Sequence, residues 1–313
     1  MKKISVSINI MTFLIFFSVE ILIHSKEVLN SVLFSIDIWK NNLFPSLFPM
    51  FVLSDVLINY GFVEFIGELF KPIMNYFFKA KGVCAFIFIM SIISGFPSSA
   101  KYIKELYEDG LIDNNDASKV LTFCHFSNPL FILGTVSLLI GDSKLGFLIL
   151  ICHYLGNVII GLIFRNYHPT NERNSSVSIK KAIINMHNKR ISNEKNTIQI
   201  ITNSLIKSID ILLLILGVVT TFAIVSTILG INNYYSGFFE ITQGLKYLSI
   251  TDLSIELKCV LATFIISFGG LSIHMQIISI LSEIKVKYFP FLCARILHAI
   301  ISSILVLIVI YTI

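Results

Sequence analysis

The 313-residue sequence has few charged residues. Asp, Glu, Lys and Arg make up 14% of it, whereas hydrophobic residues make up 55%. A soluble domain usually carries about 25% charged residues. The low charged fraction excludes an ordinary soluble globular protein. In such a chain the net charge of +5 does not indicate binding to nucleic acid. We therefore expect no nucleic-acid partner, and a lipid bilayer as the surroundings of the chain.

Catalytic and metal-binding signatures are also missing. The sequence has no G-x-S-x-G or H-E-x-x-H motif and no phosphate-binding loop ending in G-K-[ST]. A serine at 98 or 99 near Lys101 resembles a Ser/Lys hydrolase pair only by spacing, which is not sufficient. The cysteines are scattered, with no C-x-x-C pair and no zinc or disulfide pattern: Cys84, Cys124, Cys152, Cys259 and Cys293. We predict no enzyme activity and no cofactor, and leave the identity of a coupling ion, proton or sodium, open.

Apolar runs long enough to cross a bilayer, about 20 residues each, recur along the chain. Two further segments, 62–79 and 234–248, mix apolar and charged residues and are predicted to lie in the membrane interface. The fold class is therefore an all-α polytopic membrane protein. Its predicted spans are 4–23, 41–60, 118–140, 145–165, 207–230 and 288–312.

Two polar breaks interrupt apolar sequence 173 positions apart, one over 94–99 and the other over 267–272. The same spacing relates Asp37 to Asp210. The apolar arms beside each break are about a dozen residues long, too short for a full span at 1.5 Å per residue. Irregular backbone is tolerated at membrane depth only where it is buried in protein or lines a cavity. We predict re-entrant helical hairpins over 82–112 and 256–284.

Basic residues in loops indicate orientation. The loop 166–206 and the N-terminus, with Lys2 and Lys3, carry a basic excess and are predicted to be cytoplasmic. The predicted spans between the N-terminus and the loop 166–206 place both on the cytoplasmic side only if the segment 82–112 does not cross the membrane. An odd number of crossings then separates Asp37 from Asp210, which makes the two units an inverted repeat and places the C-terminus in the cytoplasm.

The predicted domain organisation has four parts. An N-terminal transmembrane helix occupies 1–30, and a first repeat occupies 31–165. A basic, Asn- and Ser-rich stretch over 166–206 is expected to be a mobile linker, and a second repeat follows over 207–313.

The first break contains residues suited to an anion. Gly95 permits unusual backbone angles, Pro97 interrupts helical hydrogen bonding, and Ser98 or Ser99 can cap the next helix. Free N–H groups at a helix start favour a negative charge, and Lys101 adds a full positive charge; the alternative is a tight turn with Lys101 reaching the interface. We predict a substrate site formed by Ser94, Gly95, Ser98, Ser99, Lys101, Asn128, Ser267, Gly269, Gly270, Ser272 and His274.

The second break offers close backbone approach at Gly269 and Gly270, a cap at Ser272, and His274 at the position equivalent to Lys101. A lone histidine can equally be a hydrogen-bonded structural residue, and that alternative stays open.

A third break lies at 125–130, where Pro129 disfavours helix at Asn128. Its alternative is a proline kink in which Asn128 satisfies the freed backbone. Asp37 and Asp210 are expected to be acids at helix starts, with coupling-ion ligands as the alternative. Asp55 is a carboxylate inside a span, which is costly, and the sequence does not identify its partner.

The sequences at 94–101, 127–136 and 267–272 resemble those of the YlbJ family of sporulation integral membrane proteins. The resemblance covers nearly the whole chain. That family carries the Gate, or nucleoside-recognition, domain twice and is similar in architecture to concentrative nucleoside transporters. The resemblance implies movement of dipicolinic acid, a small dianion, across the mother-cell-derived outer forespore membrane. It also implies binding roles for the serines, glycines and Asn128 of the breaks.

Two alternatives remain. Acidic and amide residues hold the substrate of nucleoside transporters, and neither break here contains a carboxylate; a nucleoside-type carrier is therefore the less expected reading. The other alternative is a non-transporting assembly protein of the spore envelope. Related nucleoside carriers form trimers, so by analogy we expect a homo-oligomer.

Overall fold

The computed structural model describes residues 2–170, 177–231 and 233–312. In these ranges the chain forms helices and no strands. The α-helices are α1 (Lys2–Ile23), α2 (Ser25–Ile38), α3 (Phe44–Asn59), α4 (Phe62–Ile73), α5 (Cys84–Ser94), α6 (Ser98–Glu108), α7 (Asn114–Phe123), α8 (Ser137–Ile140), α9 (Ser143–Ile163), α10 (Ile179–Ser192), α11 (Thr197–Ile228), α12 (Ile241–Ser249), α13 (Ile255–Phe268), α14 (Gly270–Ile280) and α15 (Tyr288–Thr312). Short π-helical turns cover Trp39–Leu43, Met74–Phe78 and Phe131–Val136, and 3₁₀ turns cover Phe164–Asn166 and Tyr234–Phe238.

Six helical stretches are long and apolar enough to span a membrane, which agrees with an all-α polytopic fold. Five of them contain or match predicted spans. The interval predicted to span at 118–140 is instead broken, because the chain leaves the helix at Cys124 and re-enters after Pro129. The sixth stretch is Ile255–Ile280, which is interrupted at Gly269, where φ is 95°.

The second predicted span begins too late in the sequence. A π turn at Trp39–Leu43 joins α2 and α3 into one helical stretch, Ser25–Asn59. Pro45 has no N–H to donate to the carbonyl one turn earlier. The π turn directly before it shifts the hydrogen bonding by one residue, so that the Phe44 N–H donates to the Trp39 carbonyl and the helix continues. The predicted domain boundary at residue 30 and Asp37 therefore lie inside this helix. Asp210 likewise lies inside α11, so the prediction of two acids at helix starts is wrong.

The α2–α3 stretch packs against α11 in the antiparallel direction. The Ser31 and Thr227 hydroxyls are 2.6 Å apart, whereas at the other end Asp55 accepts a hydrogen bond from Ser204. Between them the Trp39 indole donates to the Leu212 carbonyl at 2.9 Å, across 173 positions of sequence. Repeat-equivalent helices thus run in opposite directions, as an inverted repeat requires.

The arms of the breaks occupy the interior. α5 packs on α6, while α13 packs on α15 and α9, and α14 packs on α11 and α6. By contrast α1 buries none of its apolar span, Val6–Ile23. The polar breaks are therefore surrounded by helices, whereas the apolar span of α1 is not buried by the rest of the described chain.

The described part of the interval 166–206 is more ordered than the predicted mobile linker. α10 packs along α4 with Ala182 fully buried. Lys181 pairs with Glu68 at 3.2 Å, and Lys189 pairs with Asp109 at 2.7 Å. The residues from 197 onward already belong to α11, and 171–176 lie outside the described residues. The two predicted interfacial segments contain α4 and α12.

Candidate functional site

The first break is held against the third. Gly95 has a φ of 78°, and a Cβ at this position would lie 2.4 Å from the backbone nitrogen of Asn128. The Asn128 amide donates to the Ser94 carbonyl at 3.0 Å, and its oxygen accepts from the Leu130 N–H at 2.7 Å. Asn128 therefore caps the Leu130 N–H directly after Pro129 and fixes the first break at the same time, whereas the His125 carbonyl that Pro129 frees accepts from Asn157.

The predicted serine caps are wrong. Pro97 is the N-cap of α6 and makes no side-chain cap bond. The Ser98 hydroxyl donates instead to the Gly95 carbonyl, and the Ser98 backbone N–H also donates to this carbonyl, at 3.1 Å. Part of the N–H array expected to bind an anion is thus already used. The Ser99 hydroxyl is buried and has no hydrogen-bond partner among the described residues.

The second break turns the chain at two glycines, with φ values of 95° at Gly269 and 59° at Gly270. A Cβ on Gly269 would lie 2.9 Å from Nε2 of His125 in the third break. Ser272 lies in the first turn of α14, where its N–H donates to the Phe239 carbonyl at 2.9 Å. Its hydroxyl is buried and has no partner in the described ranges, so Ser272 does not cap the helix either.

One histidine on α9 joins the second and third breaks. The Ser127 N–H donates to Nε2 of His153 at 2.9 Å, so that nitrogen carries no proton. The proton must then be on Nδ1, which lies 2.9 Å from the Ser267 hydroxyl and donates to it. Through Asn128 and His153, all three breaks meet at one place inside the helices.

A cavity opens beside this meeting point, between α3, α11, α14 and the first and third breaks. The cavity has a volume of ≈ 40 Å³, which is enough for a few waters and too small for an organic solute. Its polar lining consists of Ser46, Ser127, Asn128, Glu240, Thr242 and Gln276. The Ser127 hydroxyl and both polar atoms of Gln276 are buried without a partner among the described residues, as expected of groups that await a ligand or water.

Lys101 and His274 do not line this cavity. Lys101 is 2% exposed, and its Nζ donates to the Phe51 carbonyl at 2.8 Å. His274 accepts a hydrogen bond from the Tyr288 hydroxyl at 2.8 Å and donates from Nε2 to the Phe268 carbonyl at 3.0 Å. Of the predicted site residues only Asn128 lines the cavity directly. The others build the turns behind it or face other helices.

Sequence reasoning missed a buried arginine behind the breaks. Arg295 is fully buried and contacts the Thr122 carbonyl at the end of α7 and the Asn157 amide oxygen at 3.2 Å. In the described ranges it pairs with no carboxylate. Its occurrence inside an apolar run is the signal that could have identified it.

His125 and Glu240 were missed as well. His125 stacks on Phe96 of the first break, with ring centroids 4.9 Å apart, and neither ring nitrogen has a partner among the described residues. Glu240 is the N-cap of α12 and accepts from the Gln243 N–H at 2.9 Å. Sequence alone does not place Glu240 near the breaks, because it reaches the cavity from a separate element.

Comparisons with known proteins agree with this architecture. Residues 42–165 match the family described as "Gate: Nucleoside recognition". The chain is 30% identical over 331 aligned residues to "Sporulation integral membrane protein YlbJ" of Bacillus subtilis (strain 168), and the alignment covers 95% of this chain and 81% of that protein. Neither description names an enzyme class. No solved structure matches the chain.

Proposed function

The chain belongs to the YlbJ family of sporulation integral membrane proteins, and from this premise we propose that it transports a small organic anion. The substrate proposed is dipicolinate, moved across the outer forespore membrane during sporulation. The observation that carries the proposal is the convergence of three broken membrane segments on one buried cavity. Inverted repeats with broken helices place their substrate sites at such a meeting point.

Alternating access accounts for the size of the cavity. Its interior admits only a few waters, so a solute must enter after α14 and the first break separate. The side chains that would meet the solute are Asn128, Ser127 and Gln276. Two of these hold buried polar atoms without partners in the described ranges, and such atoms gain most from a ligand that supplies hydrogen bonds.

A negative substrate is supported by the buried charge of Arg295. Its guanidinium lies behind the third break, bonded to Asn157 and Thr122, and no carboxylate among the described residues forms an ion pair with it. In a low-dielectric interior such a charge attracts an anion over several ångströms.

One observation favours a second candidate, a nucleoside-type solute. The cavity lining includes the Glu240 carboxylate beside the Asn128 and Gln276 amides. A carboxylate with two amides suits hydroxyl and N–H donors and repels a dianion. Neither break contains a carboxylate; Glu240 comes from a separate element.

Uptake into proteoliposomes separates these candidates. Labelled dipicolinate should accumulate with the wild-type protein, and Gln276→Leu should reduce uptake about tenfold through loss of roughly 1.4 kcal/mol or more of binding. Met275→Leu is the matched control because Met275 is its exposed neighbour on α14 and the change conserves volume.

The outcomes distinguish three functions. Uptake that uridine blocks and dipicolinate does not would select the nucleoside-type carrier. A well-folded protein that moves neither solute, but co-purifies with a membrane partner, would select the envelope-assembly alternative.

A further inference from the structure

Four charged side chains meet away from the cavity, where α6 contacts α3 and α11. Lys101 Nζ lies 3.5 Å from Glu105 Oε1, and Lys207 Nζ lies 3.6 Å from Asp55 Oδ1. Ser204 donates to the other oxygen of Asp55. We call Asp55, Lys101, Glu105 and Lys207 the four-charge cluster. It joins the first hairpin to one helix of each repeat.

Asp55 and Glu105 line the same polar cavity, and their carboxyl groups act on each other directly. Asp55 is 2% exposed and the Glu105 side chain 11%. Two neighbouring buried carboxylates repel each other, and one added proton removes that repulsion. Glu105 Oε2 has no hydrogen-bond partner within the described ranges, so this oxygen is free to take a proton.

Water reaches the cluster from two sides. A polar cavity of ≈ 430 Å³ runs from Asp55 and Glu105 to Asn193 and Lys195, between α10 and α11. A second cavity of ≈ 370 Å³ runs from Glu105 along α14 to Ser279 and Ile280. Both cavities are lined by Glu105, Glu108 and Lys207. A proton can therefore exchange between Glu105 and solvent.

The same helix links the cluster to the substrate cavity. Gln276, which lines the cavity at the breaks, lies one turn of α14 before Ile280, which lines the second cavity at the cluster. α14 also packs on α6, which carries Lys101 and Glu105. A movement of α6 relative to α14 therefore changes both places at once.

The place that a metal cation would take is already filled. The Lys101 ammonium is held by the Phe51 carbonyl at 2.8 Å, the Ser54 hydroxyl at 3.4 Å and the Glu105 carboxylate at 3.5 Å. Carbonyl, hydroxyl and carboxylate oxygens are the ligands of hard cations. With a tethered ammonium at this position, a sodium ion has no vacancy in the cluster, and the exchangeable cation is a proton.

We propose that Glu105, paired with Asp55, is a proton-binding site that couples solute movement to a proton. The proposal rests on the proposed transport function. Without the proton the cluster is neutral, with two ammonium and two carboxylate groups; with it the cluster carries one positive charge, and the ion pairs that hold α6 to α3 and α11 weaken. The charged groups that line the same two cavities as Glu105 are Asp55 from α3, Lys101, Lys104 and Glu108 from α6, Asp109 directly after α6, Lys189 from α10, Glu194 and Lys195 before α11, and Lys207 and Asp210 from α11.

The first experiment needs no substrate. The midpoint of thermal unfolding of the purified protein is measured between about pH 5 and pH 9. The folded protein holds a proton that the unfolded chain releases, so wild-type stability should fall as the pH rises through this titration. Glu105→Gln should remove that fall. Glu108→Gln, the same change on a neighbour that is 53% exposed, should keep it, and so should Glu105→Asp, which retains a titratable carboxyl.

The second experiment measures accumulation of labelled dipicolinate in proteoliposomes under an imposed pH gradient. Glu105→Gln should lower accumulation about tenfold, whereas Glu108→Gln should accumulate as the wild type does. Accumulation that follows a sodium gradient and ignores pH would overturn the proposal. If the wild type moves no dipicolinate, the transport function fails separately, and the unfolding titration still decides: an unchanged pH dependence in Glu105→Gln rejects the proton site.

Discussion

Gly95 and Gly110 have similar left-handed backbones, with φ values of 78° and 71°, but different surroundings. A Cβ on Gly95 would lie 2.4 Å from the Asn128 nitrogen, whereas a Cβ on Gly110 would meet nothing within 4 Å. At Gly95 the glycine is required by close approach as well as by backbone angle. The third break can therefore contact the first only because this side chain is absent.

This pair of glycines gives a prediction about stability. Gly110→Ala should cost about 1 kcal/mol from backbone strain alone. Gly95→Ala should cost at least about 2 kcal/mol more, because Asn128 must move and its bond to Ser94 is lost. Thermal unfolding of both variants in detergent measures the difference. Equal losses would show that Asn128 does not lie against Gly95.

Sequence identified the residues that change the backbone and missed those that connect distant segments. Gly95, Asn128 and Gly269 stand out because glycine and proline interrupt apolar runs. His153 and Arg295 act on the breaks from α9 and α15, and each has a partner more than a hundred positions away, Ser267 and Thr122 respectively. Periodicity cannot detect such pairs. Periodicity also gives no sign that the Lys101 ammonium contacts Phe51 and Ser54 of α3.

At the scale of elements, the antiparallel pairing of the α2–α3 stretch with α11 is the strongest sign of inversion. Ser31 meets Thr227 near one end, and Tyr60 meets Thr197 at the other. The contacts place the start of one helix beside the end of the other. A parallel arrangement would bring Ser31 close to the first half of α11 instead.

Cysteine crosslinking tests this arrangement. Ser31→Cys with Thr227→Cys should form a disulfide on mild oxidation, because the two hydroxyls are 2.6 Å apart. Ser31→Cys with Ser204→Cys is the control and should remain reduced. A mobility shift on a gel without reductant reports the bond, and the reverse pattern would rule out the inverted repeat.

The sequence predicts the repeat at this scale because the same spacing of 173 relates its two breaks and relates Asp37 to Asp210. The Trp39–Leu212 contact in the structure spans the same number of positions. It does not predict that α2 and α3 join, since a π turn has no strong sequence signature. Nor does it predict α10, whose sequence is polar and whose Ala182 is buried only by docking on α4. Both errors arise where tertiary packing, and not local pattern, decides the structure.

For the whole molecule, both ends of the chain and α10 are still predicted to be cytoplasmic. α11 is long enough to cross the bilayer, so Tyr235, after its C-terminal end, should lie on the opposite face from Lys180. Both side chains are exposed. In a background with Cys293 replaced by Ser, an impermeant maleimide should label Tyr235→Cys in intact cells and Lys180→Cys only after permeabilisation. Reversed labelling would invert the topology.

The contact between Trp39 and Leu212 joins two positions that the repeat makes equivalent, and so does the contact between Thr122 and Arg295. Equivalent positions can touch only where a two-fold axis passes between them. An ancestor of half this length, inserted in both orientations, would have made the same contacts as an antiparallel homodimer. Fusion of two such copies would let the halves differ, as Lys101 and His274 do at equivalent positions.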